Sequence, residues 1–265
     1  MIAKKLYLGL IVFFLYAPIL VLMVFSFNAS RSQANWYGFT LDWYVQLFND
    51  EHIMRALRNT VLVAVFSTFA ATAIGAIAAV GISKLGRRTK GVVMSVTQLP
   101  VMMPDIVTGL SLRILFIFVI RLIGGGSLGF GTLLLSHITF NVPYVILSVT
   151  PKLRQMDGNL YEAALDLGST PLGAFFKVIL PEIWPGVVTG ALLAFTLSVD
   201  DFMVSFFTTG SGVTNLSILI FSMARRGVNP RINALSTLIF IVIMVLLFLI
   251  HKRDQHLARK RGEMT

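Results

Sequence analysis

The sequence predicts an all-α integral membrane protein with six transmembrane helices, and three observations support this fold class. First, 56% of its 265 residues are hydrophobic, 13% are charged, and the mean hydropathy is +0.81. Second, six stretches are apolar enough and long enough to cross a bilayer, which takes about 20 residues. Third, basic residues are concentrated in alternate loops, as in membrane proteins of fixed orientation. Soluble domains carry roughly 25% charged residues, so the composition excludes that class.

The six predicted spans belong to a single transmembrane domain that covers residues 1–265. Their approximate bounds are 6–27, 60–82, 92–120, 130–150, 186–207 and 232–250. The first follows two lysines, as a signal peptide does, but its apolar run is too long and no small-residue cleavage pattern follows. We therefore expect a retained span. The third is longer than necessary and is interrupted at Pro100 and Pro104, which is tolerated where neighbouring helices satisfy the freed backbone groups.

The distribution of basic residues predicts that both termini lie in the cytosol. With the N-terminus inside, fourteen basic residues are cytosolic and seven are outside, while Arg113 lies within a span. The cytosolic residues are Lys4, Lys5, Lys84, Arg87, Arg88, Lys90, Lys152, Arg154, Lys177, Lys252, Arg253, Arg259, Lys260 and Arg261. The outer residues are Arg31, Arg55, Arg58, Arg121, Arg225, Arg226 and Arg231. This bias, with a basic tail against anionic membrane lipid, explains the net charge of +10 without nucleic-acid binding.

Residues 151–185 form a predicted cytosolic loop that contains a helix, a break and a second helix. Asn159 is placed to cap the first helix, with Glu162 three residues later as in a capping box. Gly168 is placed to end that helix, because glycine reaches the left-handed conformation without strain.

The second helix of this loop is predicted from a threonine, proline pair. Thr170 is a suitable N-cap, and Pro171 is favoured at the first helical position. Pro181 is expected to stop the segment, because proline lacks the backbone donor that a continuing helix needs.

The stretch EAALDLGSTPLGAFFKVILP, residues 162–181, resembles the EAA loop of ABC importer permeases. That pattern is Glu-Ala-Ala, a glycine six residues after the glutamate, and then Ile-x-Leu-Pro. The matching residues are Glu162, Ala163, Ala164, Gly168, Leu180 and Pro181, with Val178 where isoleucine is usual. The resemblance implies that the loop is a coupling helix seated in a cleft of the ATPase subunit. The alternative is an ordinary helical hairpin in which Glu162 only caps a helix.

The chain carries no recognisable ATPase site of its own. A phosphate-binding loop needs Gly-x4-Gly-Lys-Ser/Thr, and the nearest spacing, Gly81 to Gly86, continues with two arginines. The sequence has no cysteine, which excludes disulfides and thiolate metal sites. We expect no metal, no cofactor and no enzymatic activity in this chain, with ATP and Mg²⁺ bound by a separate ATP-binding subunit.

Three acidic residues, Asp105, Asp200 and Asp201, fall within predicted spans, where ionisable groups are costly and indicate function. At 1.5 Å per residue, Asp105 and Asp201 lie roughly 20 and 22 Å from the cytosolic ends of their spans. His137 reaches a similar level on the fourth span, and Asn141 lies one turn deeper. Three spans thus bring polar groups into one layer. His137 and Asn141 are therefore candidates for the substrate pathway, and their alternative role is to form hydrogen bonds between helices.

A layer of carboxylates at this depth predicts a substrate pathway for a cation. A flexible amine chain would place its ammonium groups on Asp105, Asp200 or Asp201. Its methylene groups would lie along Phe202 and Phe206, with cation–π contact available.

The alternative for these acids is a role in the fold. Asp105 follows Pro104, where freed backbone groups need partners. Asp200 and Asp201 are adjacent, so on a helix they point about 100° apart and cannot both face one site. One of the two could bond a partner subunit.

Longer segments of the chain resemble the second, C/I-type permease subunit of bacterial spermidine/putrescine importers. They are VMMPDIVTGLSL (101–112), LSHITFNVPYV (135–145), LLAFTLSVDDFMVSFF (192–207) and GVNPRINALST (227–237), with YAPIL (16–20) and SFNAS (26–30). The similarity runs nearly end to end. The segments that contain Asp105 and Asp200–Asp201 are those that indicate a polyamine substrate.

This resemblance implies a type I ABC importer permease, multi-pass in the bacterial inner membrane. It also implies the partners: a second, similar permease subunit, two ATP-binding subunits and a periplasmic polyamine-binding protein. The transport implied is import of spermidine or putrescine from periplasm to cytosol.

Other functions remain open from the sequence. The same loop would serve an importer of another solute, such as ferric iron or thiamine; sulfate fits poorly with three intramembrane acids. From a different class, an ion-driven secondary transporter could use the acids as proton relays, but such proteins often have inverted repeats, and none is evident here. A structural membrane scaffold is the third alternative.

Overall fold

The computed structural model describes residues 2–30, 35–227, 230–241 and 244. Every regular element in these residues is a helix, so the predicted all-α class is confirmed. The helices are α1 (Ile2–Phe25), α2 (Asp42–Asn49), α3 (Glu51–Ser83), α4 (Arg87–Met102), α5 (Asp105–Ile123), α6 (Phe130–Gln155), α7 (Leu160–Asp166), α8 (Pro171–Ala174), a π-helix (Phe175–Ile179), α9 (Leu180–Asp200), α10 (Met203–Thr208), α11 (Leu216–Arg225) and α12 (Pro230–Ile241).

Five helical stretches among the described residues are long and apolar enough to cross a membrane. They are Leu6–Phe25, Glu51–Ser83, Asp105–Ile123, Phe130–Gln155 and Pro171–Asp200. The predicted sixth span, 232–250, starts within α12, but beyond 241 only residue 244 is among those described. Arg31 and the basic tail from 252 onward also lie outside the described residues.

The predicted interruption of the third span is found at one proline and not at the other. Helix α4 continues through Pro100 and ends at Met102, and Pro104 precedes the first residue of α5. The fifth span differs further from the prediction. Its helix begins at Pro171, far ahead of residue 186, and breaks at Asp201 and Phe202 before α10. The helix break within the fifth span was not predicted.

The described residues divide into two compact units, one formed by those before residue 55 and after residue 219, and the other by Arg55–Leu219. In the first unit, the turn after α1 forms an antiparallel bridge between Asn28 and Phe39. The Trp43 indole N–H donates to the Asn28 carbonyl at 2.8 Å and ties α2 to this turn. In the same unit Arg231, on α12, forms an ion pair with Asp50 at 3.2 Å.

In the second unit, α6 and α9 pack closely through a small-xxx-small pair of glycines on α9. A Cβ added to Gly186 would lie 2.9 Å from the Ser148 carbonyl oxygen, and one added to Gly190 would lie 3.1 Å from Cα of Val145. Such approach of helix backbones stabilises helix pairs in membranes, where van der Waals packing replaces hydrophobic burial. The α6–α9 pair is therefore a closely packed part of this unit.

Helix α3 packs against the same pair through Gly75, whose added Cβ would lie 2.7 Å from Cβ of Val145. Towards the α6 C-terminus, Val149, Ile179 and Ile183 are buried in one apolar cluster. Ile179 belongs to the π-helix, so this cluster attaches the polar segment that follows α6 to the membrane core. The segment is thereby packed against α6 and α9.

Candidate functional site

The first candidate site is the polar segment from α7 to the start of α9. Helix α7 ends with Gly168, whose φ is +84°. The Gly168 N–H donates to the Leu165 carbonyl at 2.9 Å, and the Ser169 N–H donates to the Ala164 carbonyl at 3.0 Å. These two bonds form a Schellman motif, in which a left-handed glycine closes the helix. The prediction that Gly168 ends the first helix is confirmed.

The second helix of the segment starts as predicted. Thr170 has extended backbone geometry, and its Oγ1 accepts a hydrogen bond from the Gly173 N–H at 3.1 Å. Pro171 occupies the first helical position, where its missing donor costs nothing. The sharp turn between the two short helices is thus encoded by Gly168, Thr170 and Pro171, and the Ser169 N–H forms one of the two Schellman hydrogen bonds.

Two predictions for this segment are wrong. Asn159 does not cap α7 with its side chain; its backbone is helical, which turns the side chain away from the free N–H groups. Asp157 holds the turn instead, since its Oδ1 accepts the Asn159 N–H at 3.0 Å. Pro181 does not stop the second helix, because the π-helix Phe175–Ile179 directly before it provides a wider turn that accommodates the ring, and α9 continues to Asp200.

The members of the predicted pattern differ in exposure. Glu162, Ala163 and Pro181 are exposed, Leu180 is half-buried, and Ala164 is buried against the rest of the unit. Ala164 therefore anchors the segment to the rest of the unit, while Glu162, Ala163 and Pro181 lie on its outer face.

Three exposed apolar residues of this segment were missed by the sequence reasoning. Leu167 is 88% exposed, Leu172 is 72% exposed and Phe176 is 61% exposed. They flank the turn at Gly168, and none is covered by the described part of the chain. Large apolar side chains inside an otherwise polar loop were a visible signal in the sequence, because such residues usually need a partner.

The second candidate site is the break between α9 and α10, inside the fifth predicted span. The Asp201 carboxylate accepts the Val204 N–H at 3.1 Å and the Ser205 N–H at 2.7 Å. It thus satisfies the free donors at the start of α10, which would be costly within a membrane. At the other end of α10, Arg113 Nη1 donates to the Phe207 carbonyl at 3.1 Å. Both ends of the short helix are held by charged side chains.

A chain of hydrogen bonds crosses four helices next to this break. His137 Nδ1 lies 2.6 Å from Ser198 Oγ, and its Nε2 lies 2.9 Å from Ser205 Oγ. Ser198 in turn lies 3.1 Å from Ser67 Oγ on α3. Asn215 Nδ2 donates to Ser205 Oγ at 2.7 Å. The prediction that His137 forms hydrogen bonds between helices is confirmed, and the chain joins α3, α6, α9 and α10. We call it the polar network, defined by Ser67, His137, Ser198, Asp201, Ser205 and Asn215.

Asp201 and His137 are brought together, as their common depth predicts. The His137 Nε2 atom lies 3.6 Å from Asp201 Oδ2, and their side chains are 1% and 7% exposed, respectively. Both are therefore enclosed, and their polar atoms are used within the fold.

Asp105 and Asp200 have different surroundings. Asp105 is exposed at the first position of α5, within electrostatic reach of Tyr144, and Asp200 is exposed at the last position of α9. Phe206 is 51% exposed, and its ring centroid lies 5.5 Å from that of Phe202, which is half-buried. Two carboxylates and an aromatic face thus remain open to a ligand. The prediction that Asp200 and Asp201 face different surroundings is confirmed.

Asn141 is fully buried on α6, and neither its Oδ1 nor its Nδ2 has a hydrogen-bond partner among the described residues. The predicted hydrogen bond between helices is therefore wrong for this residue.

A metal site is not evident in the described part of the chain, where no group of three or more His, Cys, Asp or Glu side chains could hold an ion. The chemistry that the open groups offer is binding of an organic cation by carboxylates and aromatic rings.

A family model and individual relatives all indicate the same family of transport proteins. The family described as "Binding-protein-dependent transport system inner membrane component" matches residues 71–260. The chain is 44% identical over 229 residues to the putrescine transport system permease protein PotI of Escherichia coli (strain K12), covering 85% of this chain and 81% of that protein. It is 41% identical over 233 residues to the spermidine/putrescine transport system permease protein PotC of the same strain, covering 88% and 86%.

A solved structure shares the fold. It is the crystal structure of a bacterial ABC transporter involved in the import of the acidic polysaccharide alginate. One of its chains is matched with a TM-score of 0.73 and 18% identity, covering 96% of this chain and 95% of that chain. The resemblance to an ABC importer permease that the sequence indicated is confirmed.

Proposed function

Because the chain belongs to the family of binding-protein-dependent transport system inner membrane components, we propose that it is the permease subunit of an ATP-driven polyamine importer. The substrate would be putrescine or spermidine, moved from periplasm to cytosol. The observation that carries this proposal is identity above 40% with both a putrescine and a spermidine/putrescine permease over more than four fifths of the chain.

The proposed topology is six spans in the bacterial inner membrane, with both termini in the cytosol. It is supported by the five long apolar helices and by α12, which starts a further apolar stretch. The basic residues Lys84, Arg87 and Arg88, between α3 and α4, favour a cytosolic position for that turn. The segment from α7 to α9 then lies on the same side, where an ATPase could reach it.

Coupling to ATP hydrolysis is proposed for residues 160–181. ATP and Mg²⁺ would bind a separate ATP-binding subunit, and this segment would dock in a cleft of that subunit. The exposed side chains of Leu167, Leu172 and Phe176 suit such a cleft, because each leaves a large apolar surface uncovered. Ile179 and Ile183 would pass the motion to α6 and α9 through the buried cluster.

The proposed substrate pathway uses the open carboxylates. Asp105 and Asp200 would bind the ammonium groups of a polyamine, and Phe206 would contact its methylene chain. Asp201 and His137 would act differently, holding α10 and the adjacent helices in place so that Asp200 and Phe206 keep their positions. A polyamine suits this division because its charges are separated by apolar links.

A full importer would include a second, similar permease subunit, two ATP-binding subunits and a periplasmic binding protein that delivers the polyamine. ATP binding would close the ATP-binding subunits and open the cavity outward; hydrolysis would return it to the inward-open state. This chain would supply the path and the coupling, with no covalent chemistry.

The experiment that tests the proposal is uptake of labelled putrescine and spermidine in bacteria lacking this chain, with and without its restoration. Uptake that returns with the chain, and that is abolished by ATP depletion but not by collapse of the proton gradient, would support it. Restored partner subunits without any polyamine uptake would contradict the substrate. Uptake that follows the proton gradient would contradict the ATP-driven mechanism.

A further inference from the structure

A cavity of about 400 Å³ lies between the C-terminal ends of α3 and α6, the start of α4 and the start of α7. Its inner wall is apolar and includes Val80, Leu153 and Ile179. Its rim is polar and charged. The cavity is thus amphipathic, and it is separate from the open carboxylates on α5 and α9.

Three cations and one carboxylate converge on the rim. They are Lys84, Lys90, Arg154 and Glu162. Within the part of the chain that the structure describes, none of the four forms an ion pair. The rim therefore carries an excess of two positive charges that no internal counter-ion balances.

The contacts that the cations do make leave them available. Lys84 Nζ lies 3.8 Å from the centroid of the Tyr161 ring, which attracts a cation without neutralising it. Lys90 Nζ donates to the Ser83 carbonyl at 3.5 Å, a long and weak bond. Arg154 is exposed, and its guanidinium forms no hydrogen bond or ion pair within the described part of the chain. Planar donor groups of this kind bind phosphate oxygens in pairs.

We propose that this cavity is a binding site for a phosphate-bearing anion. The phosphate would lie between Lys90 and Arg154, with Lys84 at its side. An apolar portion of the same molecule would lie against Val80, Leu153 and Ile179. Two sources offer this chemistry: the headgroup of an anionic phospholipid, and a soluble phosphate compound of the cytosol. The cytosolic position rests on the orientation given under the proposed function.

Occupancy of the site would bear on the coupling segment. Tyr161 and Glu162 stand in the first turn of α7 and form one wall of the cavity, so a bound molecule contacts the start of residues 160–181. The Glu162 carboxylate opposes an incoming anion, which makes the charge of that residue a determinant of affinity. Binding of the anion and docking of an ATPase would thus share α7.

The test uses the assembled importer in lipid nanodiscs. In one arm, fluorescent phosphatidylglycerol is added to the importer in phosphatidylcholine discs, and its binding in competition with phosphatidylcholine is measured. In the other arm, pyrophosphate is titrated calorimetrically into the importer in phosphatidylcholine discs. The variants are the double Lys90→Gln/Arg154→Gln and the single Glu162→Gln. The control double, Arg87→Gln/Arg88→Gln, removes the same charge from exposed residues of α4 that do not line the cavity.

Each basic residue near an anionic partner contributes about fivefold in affinity, so Lys90→Gln/Arg154→Gln is expected to weaken binding roughly 25-fold. Glu162→Gln is expected to tighten it about fivefold, by the same electrostatic reasoning. Arg87→Gln/Arg88→Gln should change it less than twofold. The effect in the phosphatidylglycerol arm alone would identify a lipid headgroup, and the same effect with pyrophosphate would identify a soluble phosphate compound; both support the site.

Equal binding by both doubles, or no binding in either arm, would overturn the proposal. Lys90→Gln/Arg154→Gln and Glu162→Gln are expected to change anion affinity in opposite directions. This pattern can be observed whether or not the chain is a polyamine permease. If the chain were not a polyamine permease, Glu162→Gln would still tighten anion binding; if the site did not exist, Glu162→Gln could alter transport with no change in anion binding.

Discussion

The proposed coupling segment, residues 160–181, and the polar network both place polar groups at helix breaks, but the two regions differ in what those groups contact. In the coupling segment, the breaks are closed by the backbone and by one hydroxyl, and the large side chains next to them are left exposed. In the polar network, the side chains themselves close the break, and they are buried. One region leaves surface for a partner, and the other uses its groups within the fold.

This difference separates residues that look equivalent in sequence. Asp200 and Asp201 are adjacent acids in an apolar span, yet Asp200 is exposed and Asp201 caps α10. A buried group with its hydrogen bonds made is costly to remove and poorly placed to bind substrate. An exposed group next to it is inexpensive to remove and free to bind. Stability and transport measurements on matched variants therefore tell the two roles apart.

The largest effect is expected from Asp201→Ala. The substitution leaves the Val204 and Ser205 N–H groups without an acceptor in a buried site, so we expect a loss of about 3 kcal/mol in the free energy of unfolding. Thermal unfolding of the purified chain, with the yield of assembled importer, measures it. Asp200→Ala is the matched control and should stay within about 0.5 kcal/mol. Equal stability of both variants would show that the Asp201 hydrogen bonds do not contribute to the free energy of unfolding.

The next effect tests the exposed apolar residues of the coupling segment. Leu167→Gln removes an exposed apolar side chain that a cleft would bury, which is worth about 2 kcal/mol, or roughly 30-fold in the dissociation constant. The measurement is the affinity of the detergent-solubilised chain for the ATP-binding subunit. The control is Leu85→Gln, which changes another exposed leucine in the turn between α3 and α4. Unchanged affinity for Leu167→Gln would place the docking surface elsewhere.

A smaller effect is expected from the backbone of the same segment. Gly168→Ala puts a side chain at a φ of +84°, which costs roughly 1–2 kcal/mol and favours a different turn between α7 and α8. We expect polyamine uptake per ATP hydrolysed to fall in reconstituted vesicles, while the protein remains in the membrane. Gly158→Ala, in the same loop but without a left-handed φ and with open space around its Cα, is the control. A normal ratio of uptake to hydrolysis in Gly168→Ala would contradict the coupling role.

The sequence predicts the coupling segment well because its geometry depends on near neighbours. A left-handed glycine, a threonine N-cap and a proline at the first helical position each act within about four residues, and all three are confirmed at Gly168, Thr170 and Pro171. The prediction for Pro181 was wrong because of a rarer local structure, the π-helix Phe175–Ile179. The π-helix before it has no simple sequence signature, so the continuation of the helix could not be foreseen.

The polar network is less predictable because its bonds join residues far apart in the chain. Helical rise placed His137 and Asp201 at one depth, but no local pattern shows that Ser198 and Ser205 would take both imidazole nitrogens. The break that lets Asp201 cap α10 follows residues 191–200, which contain neither proline nor glycine. Asn141 shows the same limit, since whether a buried amide meets a partner depends on the facing helix and not on its own neighbours.

The smallest effect is expected at the open acid itself. Asp200→Asn keeps the shape of the side chain and removes its charge. Because an exposed ion pair contributes less than about 1 kcal/mol, the half-saturating polyamine concentration should rise roughly threefold. Uptake is measured over a range of putrescine concentrations, at low ionic strength where screening is weakest. Glu182→Gln, an exposed acid at the opposite end of α9, should leave that concentration unchanged. Asp200→Asn could also leave the half-saturating concentration unchanged, while Asp201→Asn raised it without loss of stability. The roles of the two acids would then be reversed, and burial would not separate structural residues from substrate-binding residues in this span.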